Sequence, residues 1–296
     1  MLWQNEPSII IGKHQNTFAE INYQYVKKYN IPVVRRISGG GTVFHDLGNL
    51  NFSFIENGEK GKLVDFKKFT KPIVEVLNQM GVPAIFEGKN DLRVNGLKIS
   101  GNAEHVYKNK VLHHGTLLFS SDLSGLNKAI KVVSDKYEDK AVKSIRSKVA
   151  NISDFLKPPL RIEDFRERIF QHIINIYKDV TFYSLNKNDD KAVRQLVIKK
   201  YSTWKWNFGY SPKYSLHRQI QTENGILKFN LKVEKGFIKD LEISGLKIKP
   251  YLINRIETTL KGRPYEETSV KGSLLQINND LNNTELSIDD IVNGLF

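Results

Sequence analysis

The sequence predicts a mixed α/β fold in two parts: a large first domain over residues 1–208 and a smaller α+β domain over residues 213–296. Three observations carry this. A chain of 296 residues exceeds what one small core usually organises. Residues 1 to about 120 consist of β-branched and alternating runs joined by glycine and asparagine turns, interrupted by two stretches of helical period. After WKWNFGYSPKY the pattern shifts to a hairpin followed by a helix.

Taken in order, Ser8–Ile11 is a β-branched run that reads as a strand. Residues 17–29 place Phe18, Ile21, Tyr25 and Val26 on one helical face, and Asn30 with Pro32 ends that helix. Residues 33–37 and 43–54 read as strands flanking a glycine run. In the second of these, Leu50, Phe52 and Phe54 alternate with Asn49, Asn51 and Ser53, so the sheet is expected to bury the apolar set. Residues 66–80 form a second amphipathic helix, closed by Gly81 and Pro83. Asn95-Gly96, between LRV and LKI, signals a hairpin, because both central residues of a type I′ turn need φ > 0, and an antiparallel meander follows. Residues 122–133 and 162–177 have helical character, with Pro158-Pro159 in the loop between them. A boundary falls near Gly209 to Lys213. Beyond it, LKFNLKVEKGFIKDLEIS is a hairpin turning at Lys235-Gly236, and residues 251–260 are helical.

Composition narrows the function. At 40% hydrophobic residues, no run approaches the roughly 18–20 apolar residues of a membrane span, and the opening MLWQNEPSIIIG lacks the form of a signal peptide. A soluble, cytoplasmic protein with no membrane partner is expected. The absence of cysteine excludes disulfides, thiolate metal sites and a cysteine nucleophile. Of the +13 net charge, residues 209–296 hold 12 Lys+Arg against 11 Asp+Glu, leaving 33 against 21 in residues 1–208. The excess of +12 in the first part suits a polyanionic small molecule, an acidic protein partner or nucleic acid, or it reflects solvated lysines alone.

The chemistry concentrates in RRISGGGTVFHDLGNLNFS, from Arg35 to Ser53. Three glycines allow φ > 0 and let peptide N–H groups approach a ligand, as in an anion-binding nest. A P-loop would need Lys-Ser/Thr after the last glycine, and a dinucleotide fingerprint would need glycine where Phe44 stands. Strand-forming TVF follows Gly41, so no helix N-terminus is available and side-chain cations must hold any anion. Arg35 and Arg36 are placed for this, but adjacent strand residues point to opposite faces, so only one can share the ligand face. The competing reading is a tight turn with a solvated arginine pair. Lys98, between Leu97 and Ile99, faces away from them on a strand that the hairpin holds rigid, although a strand lysine is more often merely solvated. His113 and His114 turn apart on a strand, so one of them can line a site, but they are not a metal pair. His45 and Asp46 either hydrogen-bond a turn or touch ligand, and Trp204 and Trp206 are expected to pack the domain junction.

Together, RRISGGGTVFHDLGNLNFS, KNDLRVNGLKISGNA, HHGTLL, SIRSKVANI and WKWNFG, in this order over most of residues 1–208, resemble the lipoate protein ligase family. The tail from about residue 213 resembles the accessory domain of some bacterial members. The resemblance implies a biotin/lipoate ligase-type catalytic domain, related to class II aminoacyl-tRNA synthetases. It implies two steps: lipoate and MgATP give lipoyl adenylate and pyrophosphate, and a lysine amine of an acceptor domain then takes the lipoyl group as an amide. Carried over by motif, Arg36, Gly41, Thr42, Val43 and Phe44 contact nucleotide, Gly40 and Gly41 reach the lipoyl end, and Lys98 contacts both the lipoyl carboxylate and the α-phosphate. Asn90 and Asp91 fall on the nucleotide side, as contacts to nucleotide or magnesium. The implied partners are acidic lipoyl-acceptor domains, of the glycine cleavage H protein or 2-oxoacid dehydrogenase E2 type, with lipoate or octanoate as the small molecule. The resemblance also implies a further strand and helix ahead of LWQNEPSIIIGKHQN, without which apolar surface and one side of the pocket would be exposed.

Two rival readings remain at this level. A lipoyl or octanoyl transferase would move the acyl group without ATP, but the usual cysteine thioester route is closed and only a lysine-based one is left. A non-catalytic basic binding protein suits the charge, yet no base-stacking motif appears, and nucleic acid is not expected as a partner.

Overall fold

A computed structural model describes residues 1–58, 63–130, 137–177, 179–245, 248–281 and 286–296. In chain order the elements begin with β1 (Leu2–Trp3), β2 (Ser8–Ile11), α1 (Thr17–Glu20), α2 (Tyr23–Lys28), β3 (Val33–Arg35), β4 (Val43–His45), β5 (Asn49–Asn57) and α3 (Phe66–Gln79). The meander is β6 (Ile85–Glu87), β7 (Asp91–Val94), β8 (Leu97–Tyr107) and β9 (Lys110–Leu118), followed by α4 (Leu123–Ala129), β10 (Tyr137–Asp139), α5 (Ile162–Ile176) and α6 (Lys187–Leu196). The C-terminal elements are β11 (Tyr214–Thr222), β12 (Gly225–Glu234), β13 (Phe237–Ser244), α7 (Pro250–Leu260), α8 (Glu267–Leu275), α9 (Asn278–Leu281) and α10 (Ile288–Leu295).

The chain divides into two compact units. The first comprises Met1–Lys13, Ile31–Ile130 and Ser144–Ala192. Its main sheet is antiparallel throughout, in the order β1-β5-β9-β8-β7-β6, and a three-stranded sheet, β3-β2-β4, pairs β2 parallel to β3 and antiparallel to β4. The Asn95-Gly96 turn has the expected form, with φ of 50° and 77°, and sets the register Val94↔Leu97. Leu50 and Phe52 of β5 join Leu117 of β9, Ile73, Val76 and Leu77 of α3, and Phe165 and Ile169 of α5 in one buried cluster. This is the apolar face that the strand alternation predicts.

Three local expectations are revised. Residues 43–54 are two strands rather than one: Asp46 accepts from the Gly48 N–H (2.9 Å) and from the Asp122 N–H (2.6 Å), which turns the chain between β4 and β5. Residues 17–29 are two short helices, because Ile21 is extended and the Asn22 side chain caps α2 by accepting from the Tyr25 N–H. Asn49 and Asn51 are buried as deeply as Leu50 and Phe52, at 0% and 1% exposure, while Phe54 is only half-buried, so β5 is covered on both faces where it begins. The helix expected over residues 122–133 is observed as Leu123–Ala129, and its last three predicted residues lie outside the described ones.

The second unit gathers residues 14–30, 137–143 and 193–296 among the described ones. Its sheet runs β10-β11-β12-β13. Phe18 of α1 packs with Tyr265, Phe208 and Phe296, and Thr17 donates to the Asn207 carbonyl (2.7 Å), which draws an N-terminal segment into a C-terminal core. The unit is thus discontinuous in sequence, unlike the continuous limits 1–208 and 213–296. Trp204 stacks on Phe208, and Trp206 lies against Tyr210 with the Lys200 ammonium 4.0 Å from its ring, all within this unit. Among the described residues no helix is long and apolar enough to cross a membrane.

Candidate active site

The two sequence arginines separate as the strand period requires. Arg35 is fully buried and donates to the Gly12 and Lys13 carbonyls at 3.0 and 3.1 Å, a structural role. Arg36 turns instead into the glycine run. Its Nη2 donates to the Gly39 and Gly41 carbonyls at 2.6 and 2.8 Å, its Nε to Gly39 O and Ser38 Oγ, and its Nη1 to Ile10 O. The guanidinium therefore draws the loop's carbonyl oxygens onto itself, and among the described residues the Gly40 and Gly41 N–H groups have no backbone or side-chain acceptor. This arrangement favours an anion: the Gly39 and Gly41 carbonyls are already satisfied and the Gly40 and Gly41 N–H groups remain available. Burial lowers the Arg36 pKa to about 10, which leaves it charged at neutral pH.

Gly40 has φ of 92°, as the turn was expected to need, and a Cβ there would stand 2.9 Å from Arg36 Nη2. Gly40→Ala should leave the melting temperature within a few degrees but weaken ATP binding about tenfold or more, through backbone strain on the order of 1–3 kcal/mol and a displaced Arg36. Calorimetric titration of ATP into the variant checks this, and unaltered affinity would mean an ordinary turn.

The loop lies against one face of the main sheet. Ser38 Oγ is 2.5 Å from His114 Nε2, and an added Gly40 Cβ would lie 4.0 Å from Ala103 Cβ, the residue paired with His114. His113 points to the opposite face, fully buried between Phe52 and Phe69, and bonds Glu104 (2.9 Å) and Asn102 (3.2 Å). His45 is held by Asn5 Nδ2 (2.8 Å) on Nδ1, so its proton sits on Nε2, a buried atom with no partner. Burial first, and the Arg36 charge second, lower the pKa of both His45 and His114 to about 4. Both rings are neutral at pH 7. The unfolded chain, with histidine near 6.5, binds more protons between pH 6.5 and 4, so stability is full above pH 6.5 and is lost as pH falls towards 4. The loss reaches at most about 3 kcal/mol per histidine. Urea midpoints measured from pH 7.5 to 4.5 should show this fall, and a smaller one in His114→Asn.

Lys98 occupies the same sheet further along. Its ammonium pairs with Asp91 Oδ1 at 2.8 Å, Arg93 Nη2 holds the other Asp91 oxygen at 3.0 Å, and the Lys98 side chain is 26% exposed. Asn90 turns inward, its amide donating to the Asn102 carbonyl (2.5 Å) while its own carbonyl accepts from Asn102 N and Nδ2 at 3.0 Å. The link between the lysine and the glycine loop is the segment SIRSKVANI. Ser144 Oγ accepts from the Thr42 N–H at 2.9 Å, and Lys148 O accepts from the Lys98 N–H at 2.8 Å. Four Cα steps separate these anchors, so Ser144 and Lys148 lie at most about 14 Å apart. Ser38 and Ser144 lie within the quoted motifs without an individual role, and of His113 and His114, one of which could line a site, the structure turns His114 to the loop. Among the described residues no group of three His, Asp or Glu is placed to hold a metal. Val43 is half-buried beside the loop and Phe44 is buried in the β2-β4 pair.

Comparison with known proteins identifies the family rather than the roles of these residues. Residues 1–174 match the family model of the lipoyl protein ligase A/B catalytic domain, and residues 211–295 match that of the bacterial lipoate protein ligase C-terminus. The chain is 44% identical over 280 residues to the lipoate-protein ligase LplJ of Bacillus subtilis, covering 94% of this chain and 85% of that protein. A crystal structure of lipoate-protein ligase A bound with ATP superposes with a TM-score of 0.61 at 29% identity, covering 71% of this chain and 85% of the other. A bipartite lipoate protein ligase from Thermoplasma acidophilum, studied with its E2 lipoyl domain, gives the same score and identity over 71% of this chain and 83% of its own.

Proposed function

Because the chain belongs to the lipoate protein ligase family, we propose that it activates lipoate with ATP to lipoyl-AMP and transfers the lipoyl group to a lysine of a lipoyl-acceptor domain. The observation that carries this reading is the single sheet face on which an ammonium group and a loop with available N–H groups are tied together by residues 144–150. In the first step a carboxylate oxygen bonds the α-phosphorus and pyrophosphate leaves. In the second, the acceptor amine bonds the acyl carbon, AMP leaves and the nitrogen gives up a proton. Two anions must meet in the first step, so charge neutralisation and alignment are the main task.

Lys98 lies between the lipoyl carboxylate and the α-phosphate in this proposal, and Arg36 holds the loop of Gly41, Thr42, Val43 and Phe44 against the nucleotide. Gly40 and Gly41 offer N–H groups to the lipoyl end. Asp91 lies beside Lys98 on the nucleotide side, and Asn90 has its side-chain oxygen Oδ1 left for a nucleotide contact. The described residues do not form a cage for magnesium: Asp91 would provide at most one oxygen, and phosphate oxygens would provide most of the rest, as is usual for this ion. Acidic acceptor domains suit the excess of +12 over residues 1–208, and we read the reaction as cytoplasmic.

The test is to incubate the purified chain with MgATP, lipoate and an acceptor domain, and weigh the acceptor. One lipoyl mass added, together with lipoate-dependent exchange of pyrophosphate into ATP, is expected; a transferase independent of ATP would show no exchange. Raising salt should slow acceptor modification more steeply than adenylate formation, and equal sensitivity would remove the electrostatic part of the reading.

A further inference from the structure

Lys98 reaches the site on a flexible four-carbon stem, and two features of its surroundings restrict where that stem can lie. The first is Gly101. A Cβ there would stand 3.2 Å from both Cε and Nζ of Lys98, so the lysine lies across the strand in space that a side chain would take. Residues 98 and 101 face the same way because β8 carries a bulge: Arg93 pairs with Lys98 and Leu92 with Ser100, which leaves Ile99 as an extra residue and shifts the alternation by one. The second is Asp91, whose two oxygens hold Lys98 Nζ at 2.8 Å and Arg93 Nη2 at 3.0 Å. Arg93 is in turn anchored on the Gly96 carbonyl at 2.9 Å, with the half-exposed Glu87 3.5 Å from its Nε. The reciprocal Asn90–Asn102 bonds fix the residue before Asp91 to β8.

We propose that Gly101 and Asp91 are positioning residues for Lys98, the glycine by leaving room for the stem to lie flat and the aspartate by anchoring the ammonium until the substrate anions arrive. The proposal rests on the reading of Lys98 given above. Its physical basis is preorganisation: the stem's rotamer freedom is lost on folding rather than at each turnover. Asp91 only partly offsets the charge that draws the substrates, because its second oxygen is engaged by Arg93. The sequence motif LKISG thereby acquires a reason for its glycine that is independent of turn geometry, since Gly101 does not have positive φ.

Gly101→Ala fits the backbone and meets only the far end of a flexible side chain, so the fold should survive with an unchanged melting temperature while the ammonium is displaced. In lipoate-dependent pyrophosphate exchange, kcat should fall about ten- to a hundredfold, with the KM for ATP changing far less. Asp91→Asn, which keeps the shape and removes the charge, should behave alike. A double-mutant cycle on the affinity for a non-hydrolysable lipoyl adenylate analogue is decisive: Gly101→Ala should weaken binding in the parent chain and add nothing in a Lys98→Ala background. Equal losses in both backgrounds, or full kcat in Gly101→Ala, would overturn the proposal. A crippled Lys98→Ala beside a silent Gly101→Ala would overturn this inference alone, whereas a fully active Lys98→Ala would overturn the reading of Lys98 as well.

Discussion

Lys98→Ala should lose pyrophosphate exchange by two to three orders of magnitude while remaining folded. The rate follows from charge: without the ammonium, the lipoyl carboxylate and the α-phosphate meet with one fewer cation between them, and deleting one such preorganised group typically costs about 3–4 kcal/mol of transition-state stabilisation. The fold should survive because Asp91 keeps its second partner, Arg93, and no buried charge is stranded. A partly exposed pair of this kind contributes at most about 1 kcal/mol to stability. Circular dichroism melts alongside exchange kinetics separate the two effects. Turnover equal to the parent's would remove Lys98 from the mechanism.

Gly115→Ala, in β9, should lose more stability than alanine at Gly40 or Gly101. A Cβ at this position would come within 2.2 Å of Asn102 Oδ1 and 2.5 Å of the Phe52 ring. Neither neighbour can move cheaply: Phe52 is 1% exposed and stacks on His113, and Asn102 is 4% exposed and bonds Asn90 and His113. Overpacking of this sort costs about 1–3 kcal/mol, and the broken hydrogen bonds add to it. The melting temperature should fall by several degrees, whereas Gly101→Ala should leave it unchanged. The contrast separates a glycine demanded by the core from one demanded by the site. An unaltered melt for Gly115→Ala would mean that the strand shifts to make room.

Much of this molecule is written in local pattern. The alternation of β5, the type I′ turn at Asn95-Gly96 and the positive φ at Gly40 follow from residue types within a few positions, because backbone sterics and the two-residue strand period act at that range. The same locality explains the misses. Asn22 and Asp46 use their side chains to end helix and strand early, a competition that apolar spacing does not reveal. Nor does spacing show that Asn49 and Asn51 lie beneath cover on both sheet faces.

By itself, the sequence determined that no more than one of two adjacent arginines could face the glycine loop, that the loop was neither a P-loop nor a dinucleotide fingerprint, and that a lysine would stand on the strand after the hairpin. Only the tertiary structure decided that the arginine is Arg36, that Ser144 and Lys148 tie loop to lysine, and that Asp91 and Gly101 surround the ammonium. The reason is physical. Period and sterics say which residues share a face, but which face is covered, and by what, depends on contacts between segments tens of residues apart, whose pairing energy no single stretch contains.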